Sequence, residues 1–140
     1  MARLDVSGLN DIMDQFEALG QGLDEVCDDM LRIGAGVVQE EVKLAADQAG
    51  HRDSGEMIRS VTFSRVPKQE DDRKRITVYF RGKDSKGVKN GQKAFSLNYG
   101  TRFITGSRFF DKAARTSAPR AEADMRYIWN LYHQKKGLKN

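Results

Sequence analysis

The sequence predicts an α+β fold: a small antiparallel sheet packed by a long helix from the N-terminal half and by a C-terminal helix, in a single domain over residues 1–140. Three observations predict it. Apolar residues recur at helical spacing from Leu23 to Ala49 and again from Ala121 to Tyr132. Between those stretches, SVTFSRV (60–66) and KRITVYFR (74–81) alternate and are rich in β-formers. No linker and no internal repeat divides the 140 residues, a length that supports one core without staples. The expected order is a helical part over 1–49, a sheet with a flexible basic loop (82–93) over 50–100, a helical part over 101–136, and a tail over 137–140.

Each element has its own signals. Ser7 is a good N-cap, and Leu9, Ile12, Met13, Phe16 and Leu19 follow at helical spacing until Gly20 and Gly22 end the helix. A long second helix places Leu23, Val26, Cys27, Met30, Ile33, Gly34, Val37, Val38, Leu44 and Ala45 on one apolar stripe, broken at Glu41 and closed by Gly50. Gly34 and Gly36 weaken it by about 1 kcal/mol each relative to Ala, and they let another backbone approach closely. In HRDSGEMIRSV, Asp53 and Glu56 stand at capping-box spacing around Gly55 and start a helical turn through Arg59. The two β-rich segments form an antiparallel hairpin, with Pro67 and KQEDDR as its loop. Ala94–Tyr99 has two readings: a short helix with Gly100 at its C′ position, or a third strand. Ser107 caps a helix from Arg108, which Pro119 kinks or restarts. The last helix buries Ala121, Met125, Ile128, Trp129 and Tyr132.

Composition excludes several classes of function. Charged residues make up 31% of the chain and hydrophobic residues 39%, which describes a globular protein with a solvated surface. No apolar run approaches the ~18–20 residues that span a bilayer, and the N-terminus lacks a signal-peptide core. Synthesis in a cytoplasm and no membrane partner are therefore expected. A lone cysteine rules out an internal disulfide, and Cys27 lies on the apolar stripe, as a core residue does. His51 and His133 are far apart and lack a second ligand at metal-site spacing. The adjacent acids Asp28–Asp29 and Glu40–Glu41 point about 100° apart on a helix and cannot share a proton across one cleft. DSG at 53–55 lacks a nucleophile-elbow frame, and GKDSKG at 82–87 lacks a phosphate-loop pattern. No catalytic residue, cofactor or metal is expected.

Charge is unevenly distributed. The net charge is +4, yet residues 1–49 hold three basic against eleven acidic side chains, so the remainder carries the positive excess. Two readings stand: acidic helices lie against basic strands within one molecule, or the acidic face of one subunit meets the basic face of the next. The 81–93 segment sets Arg81, Lys83, Lys86, Lys89 and Lys93 against Asp84 alone, which suits phosphate contact or a solvated loop. It carries no interleaved aromatic for stacking on bases.

Three motifs in order resemble a family of small tail-completion and head–tail joining proteins of long-tailed bacteriophages and prophages. DVSGLNDIMDQFEALG resembles the family's V-x-G-L-x-E-L start. HRDSGEMIRSVTF resembles A-P-x-x-T-G-x-L-x-x-S-I, with Gly50-His51 for A-P and Ser54 for Thr. AFSLNYGT resembles Y-A-x-x-V-E-x-G-T, with Asn98 for Glu, and SRFFDKAA resembles R-P-F-L-x-P-A. The resemblance implies a structural virion protein of the neck, without enzymatic activity or cofactor. It would form a ring of identical subunits among neighbouring neck or tail proteins, with non-specific contact to DNA passing through. The alternative is a small DNA-associated protein gripping phosphates through residues 81–93 and the C-terminal lysines.

The stretch 95–116 then has a role to fill. It holds five aromatic residues (Phe95, Tyr99, Phe103, Phe109 and Phe110) and one carboxylate, Asp111. Gly100 allows a backbone angle closed to other residues, reversing the chain after Tyr99. Either all the aromatics are core, or some face a neighbouring subunit. The expectation is Tyr99 inside, Arg102, Phe103 and Arg108 toward a partner, and Phe109 and Phe110 divided between core and interface.

Overall fold

A computed structural model describes residues 3–5, 23–51, 55–71 and 73–135. The helix expected from Ser7, the Asp53 cap and the basic tail lie outside the described residues. What is described is α+β: a small antiparallel sheet against helices.

Helix α1 (Leu23–Gln48) is the spine. It is covered on one side by the sheet and on another by the C-terminal helix, so its buried face is wider than a single stripe. Leu31, Ala35, Val42 and Ala46 join Val26, Cys27, Met30 and Val38 inside, whereas Ile33 and Leu44, expected on the apolar stripe, are 42% and 48% exposed. Among the described residues nothing approaches Gly36: a Cβ there would meet no atom within 4 Å.

The strands are β1 (Arg3–Asp5), β2 (Val61–Phe63), β3 (Lys68–Glu70) and β4 (Arg73–Phe80). All pairing is antiparallel and centres on β4. Arg75 pairs with Asp5 on one flank and Lys68 on the other, so β1 lies opposite β3. β2 and β3 share the second flank, with two extra residues on their side between the Phe63–Val78 and Lys68–Arg75 pairs. Arg32 of α1 holds this bulge by donating from Nε to the Arg65 carbonyl at 2.8 Å. Gln39 donates to the Val61 carbonyl at 2.8 Å.

Two expectations change here. KQEDDR is not wholly loop, because β3 continues the pairing past the bulge before the chain reverses at Asp71 (φ 52°). The first 49 residues are not all helical either: Arg3–Asp5 pair along the open flank of β4, in a segment too short to show alternation. Along β4, Lys74, Ile76, Val78 and Phe80 are buried and the intervening residues are not, as a period of two requires. Lys74 reaches the rim of the core, where Nζ lies 2.9 Å from Asp28 of α1.

The short helix α2 (Glu56–Arg59) has Gly55, at φ 78°, as its N-cap, without a side-chain cap. Glu56 accepts the Ser85 N–H at 2.8 Å. Helix α3 (Asn90–Tyr99) resolves the helix-or-strand alternative and begins four residues earlier than expected, so Asn90–Lys93 are not loop. Helix α4 (Phe109–Lys135) continues through Pro119 without a restart. Pro119 and Arg115, four residues before it, both face solvent, so the carbonyl freed by the ring meets water. α4 packs antiparallel on α1, with Arg120 3.0 Å from Glu40. Ala113, Ala121 and Met125 are buried, and Ile128, Trp129 and Tyr132 are half-buried at its far end.

Candidate assembly interface

The turn from α3 into α4 is built around Asn98, which is 3% exposed. Its Oδ1 accepts the N–H of Phe110 at 3.0 Å and of Asp111 at 3.4 Å, two donors at the α4 N-terminus that helix geometry leaves unpaired. The Asn98 carbonyl accepts the Arg108 N–H at 2.9 Å, and the Leu97 carbonyl accepts that of Ser107 at 2.9 Å. Asn98 thus caps α4 from another element. Ser107 does not cap it: its hydroxyl lies 3.2 Å from the Leu97 carbonyl and 2.8 Å from His51 Nε2. Burial pushes the His51 pKa below its ordinary value.

Between these elements the chain makes a closed loop. Gly100 (φ 89°) and Gly106 bring their backbones together, and Gly100 bridges to Thr105. A Cβ on Gly100 would lie 2.7 Å from the Gly106 nitrogen, and one on Gly106 would lie 2.5 Å from the Tyr99 carbonyl carbon. Within the loop, Thr101 Oγ1 accepts the N–H groups of Phe103 and Ile104, each at 3.1 Å. Phe103 stands at the tip, 87% exposed, with the Arg102 guanidinium 5.3 Å from its ring centroid.

A second aromatic group lies on α3. Phe95 is 62% exposed and Tyr99 45%, with ring centroids 4.7 Å apart. Arg108 sits 4.9 Å over the Tyr99 ring. Tyr99 therefore lies at the surface rather than inside. A cleft of about 300 Å³ opens beneath this pair, lined by Phe80, Ala94 and Phe110.

Phe109 and Phe110 are both core, 1% and 6% exposed, which corrects the division expected between them. Adjacent helical side chains diverge by about 100°, but the first turn of α4 is enclosed on several sides. Phe80 of the sheet lies 6.2 Å from Phe109 and 5.6 Å from Phe110, and His51 lies 5.2 Å from Phe109. Their part is to hold the loop from inside.

The basic segment is a hydrogen-bonded loop over 82–89. The Asp84 side chain, 2% exposed, accepts the N–H groups of Lys86 and Val88 at 2.9 Å and pairs with Lys93 of α3. The Lys93 ammonium first, then the Val88 and Lys86 N–H groups, hold its carboxyl below the usual range, against burial. Arg81, Lys83, Lys86 and Lys89 remain exposed. Among the described residues, no His, Cys, Asp and Glu cluster is placed to hold a metal ion, and no helix is long and apolar enough to cross a membrane.

A family model described as "Bacteriophage HK97-gp10, putative tail-component" matches residues 10–100. The chain belongs to this family. No curated protein and no solved structure matches it. An HK97 gp10-like protein is a phage tail component, a structural protein that works among other tail or neck proteins. The match covers α1, strands β2, β3 and β4, and α3, and ends at Gly100. The resemblance also explains Asn98, which spacing alone does not single out. It occupies the position where the related motif carries Glu, and either residue offers an acceptor oxygen to a helix N-terminus.

Proposed function

We propose that this HK97 gp10-like chain is a structural component of the phage or prophage neck, completing the tail or joining it to the head by self-association into a ring. The observation that carries this reading is Phe103, 87% exposed on a loop stapled at both ends. An aromatic ring flanked by arginines is the composition of an interface hot spot. Holding it on a closed loop lowers the ordering cost of binding. Arg102, Phe103 and Arg108 form the contact, and Phe95 and Tyr99 extend it. Sedimentation velocity over a wide concentration range tests the reading. It expects a discrete, concentration-dependent oligomer whose mass gives the copy number, and a monomer at every concentration overturns it.

A second reading, contact with DNA passing through the ring, is favoured by one observation. The Lys83–Lys89 bridge sets two exposed lysines side by side, with Arg81 and Lys86 close by in the chain.

A further inference from the structure

Helix α1 has an outer face that the sheet does not cover and that α4 meets through Arg120 at Glu40. Asp29, Ile33, Gly36, Glu40 and Leu44 recur along it at helical spacing. Ile33 and Leu44 are large exposed aliphatics, 42% and 48% accessible, and between them the Gly36 position is open space. Four carboxylates, Glu25, Asp29, Glu40 and Asp47, stand on or beside this face at helical spacing, against Arg32 and Lys43. Some of that charge is met within the molecule: Asp28 by Lys74, Asp29 by Arg32, and Glu40 and Glu41 by Arg120. Four cations, Arg32, Lys43, Lys74 and Arg120, set against the seven carboxylates of α1 still leave the helix negative.

The loop tip has the complementary character. Phe103 is the most exposed large hydrophobic residue described, and Arg102 beside it has no carboxylate partner among the described residues. Isologous pairing of two such tips would bring Arg102 and Arg108 of both copies together, a like-charge contact that disfavours it. The loop adjoins Ser107 and His51 at the C-terminal end of α1, while the acidic face runs along the outside of that helix. A contact between them is therefore heterologous, the type that closes into rings.

We propose that the Arg102–Phe103 tip of one copy docks on the outer face of α1 of a second copy. Its ring sits over Gly36 between Ile33 and Leu44, and the Arg102 guanidinium lies against the acidic rim. This rests on the assembly reading above and names the surface that receives the loop.

Cysteine cross-linking tests it, because the native Cys27 is 0% exposed and silent. Ile104→Cys, which keeps Phe103 and Arg102 and lies at an exposed position of the same loop, and Gly36→Cys proteins are mixed under mild oxidant at a concentration where the wild type sediments as an oligomer. A disulfide needs Cα atoms within about 7 Å, so its formation reports the register. The mixture should give at least about tenfold more linked dimer than either variant alone, and Phe103→Ala should weaken self-association roughly thirtyfold, as loss of an aromatic hot spot does. If the wild type oligomerises but the mixture links no better than the single variants, this docking is overturned and ring assembly stands. Linking by Ile104→Cys alone would show isologous pairing and also overturn it. A wild type that stays monomeric overturns both.

Discussion

Gly100 and Gly106 meet backbone to backbone, and that contact holds the α3–α4 turn at the scale of single residues. Two separate constraints act on Gly100: a φ of 89°, and a Gly106 nitrogen 2.7 Å from any added Cβ. Gly87 isolates the first constraint, since its φ is 82° but its surroundings are open. Gly100→Ala should therefore destabilise the protein by roughly 2–4 kcal/mol, whereas Gly87→Ala should cost only about 1 kcal/mol. Urea unfolding of the two variants measures the difference, and equal midpoints would remove the staple from the account. The need for glycine at position 100 is legible in the sequence, because a helix ends there. Its counterpart at 106 is not, because nothing in the spacing says that the two backbones touch. Phe109 and Phe110 were illegible for a related reason. A periodicity argument assumes one covered side, and the first turn of α4 is covered on several.

At the scale of elements, the 82–89 loop is hydrogen-bonded around one side chain. Glycines and lysines suggested a flexible segment, but Asp84 gathers two backbone N–H groups and the Lys93 ammonium around a buried carboxylate. That arrangement was hidden because Asx turns are made by one side chain, while composition averages over the whole stretch. The long helix and the β4 strand were legible because their periods of 3.6 and 2 persist over many residues. β1 and β3, three residues each, show no period and form only because β4 offers open flanks. Asp84 has a pKa held down in the folded state, so its contribution is complete above the unfolded carboxylate value of about 4. It is lost as pH falls through the lower folded value. Amide exchange should find Lys86 and Val88 protected near neutral pH and released in acid, and Asp84→Ala should release both at every pH. Fast exchange at neutral pH in the unaltered protein would contradict this picture.

At the scale of the whole molecule, the charge split of the sequence is resolved in two ways. Part is satisfied internally, where acidic α1 meets Lys74 of the sheet and Arg120 of α4. The rest stays at the surface as an acidic outer face on α1 and a basic edge over residues 81–89, and such residual fields orient encounters more than they set affinity. This separates assembly from DNA contact, because the aromatic tip and the basic edge share no residue. Lys83, Lys86 and Lys89 are exposed and lie outside the Asp84–Lys93 pair, so replacing all three with Ala leaves the loop's anchor in place. If the edge binds phosphates, each lysine releases about one counterion, and the slope of log affinity against log salt for duplex DNA should flatten by roughly 2.7 in the triple variant. Its sedimentation profile should match the wild type, since Phe103 and the face of α1 are untouched. Duplex affinity that is negligible in the wild type at low salt would remove DNA from the function and leave the basic edge to a protein neighbour. Loss of the oligomer in the triple variant would place that edge in the ring contact itself.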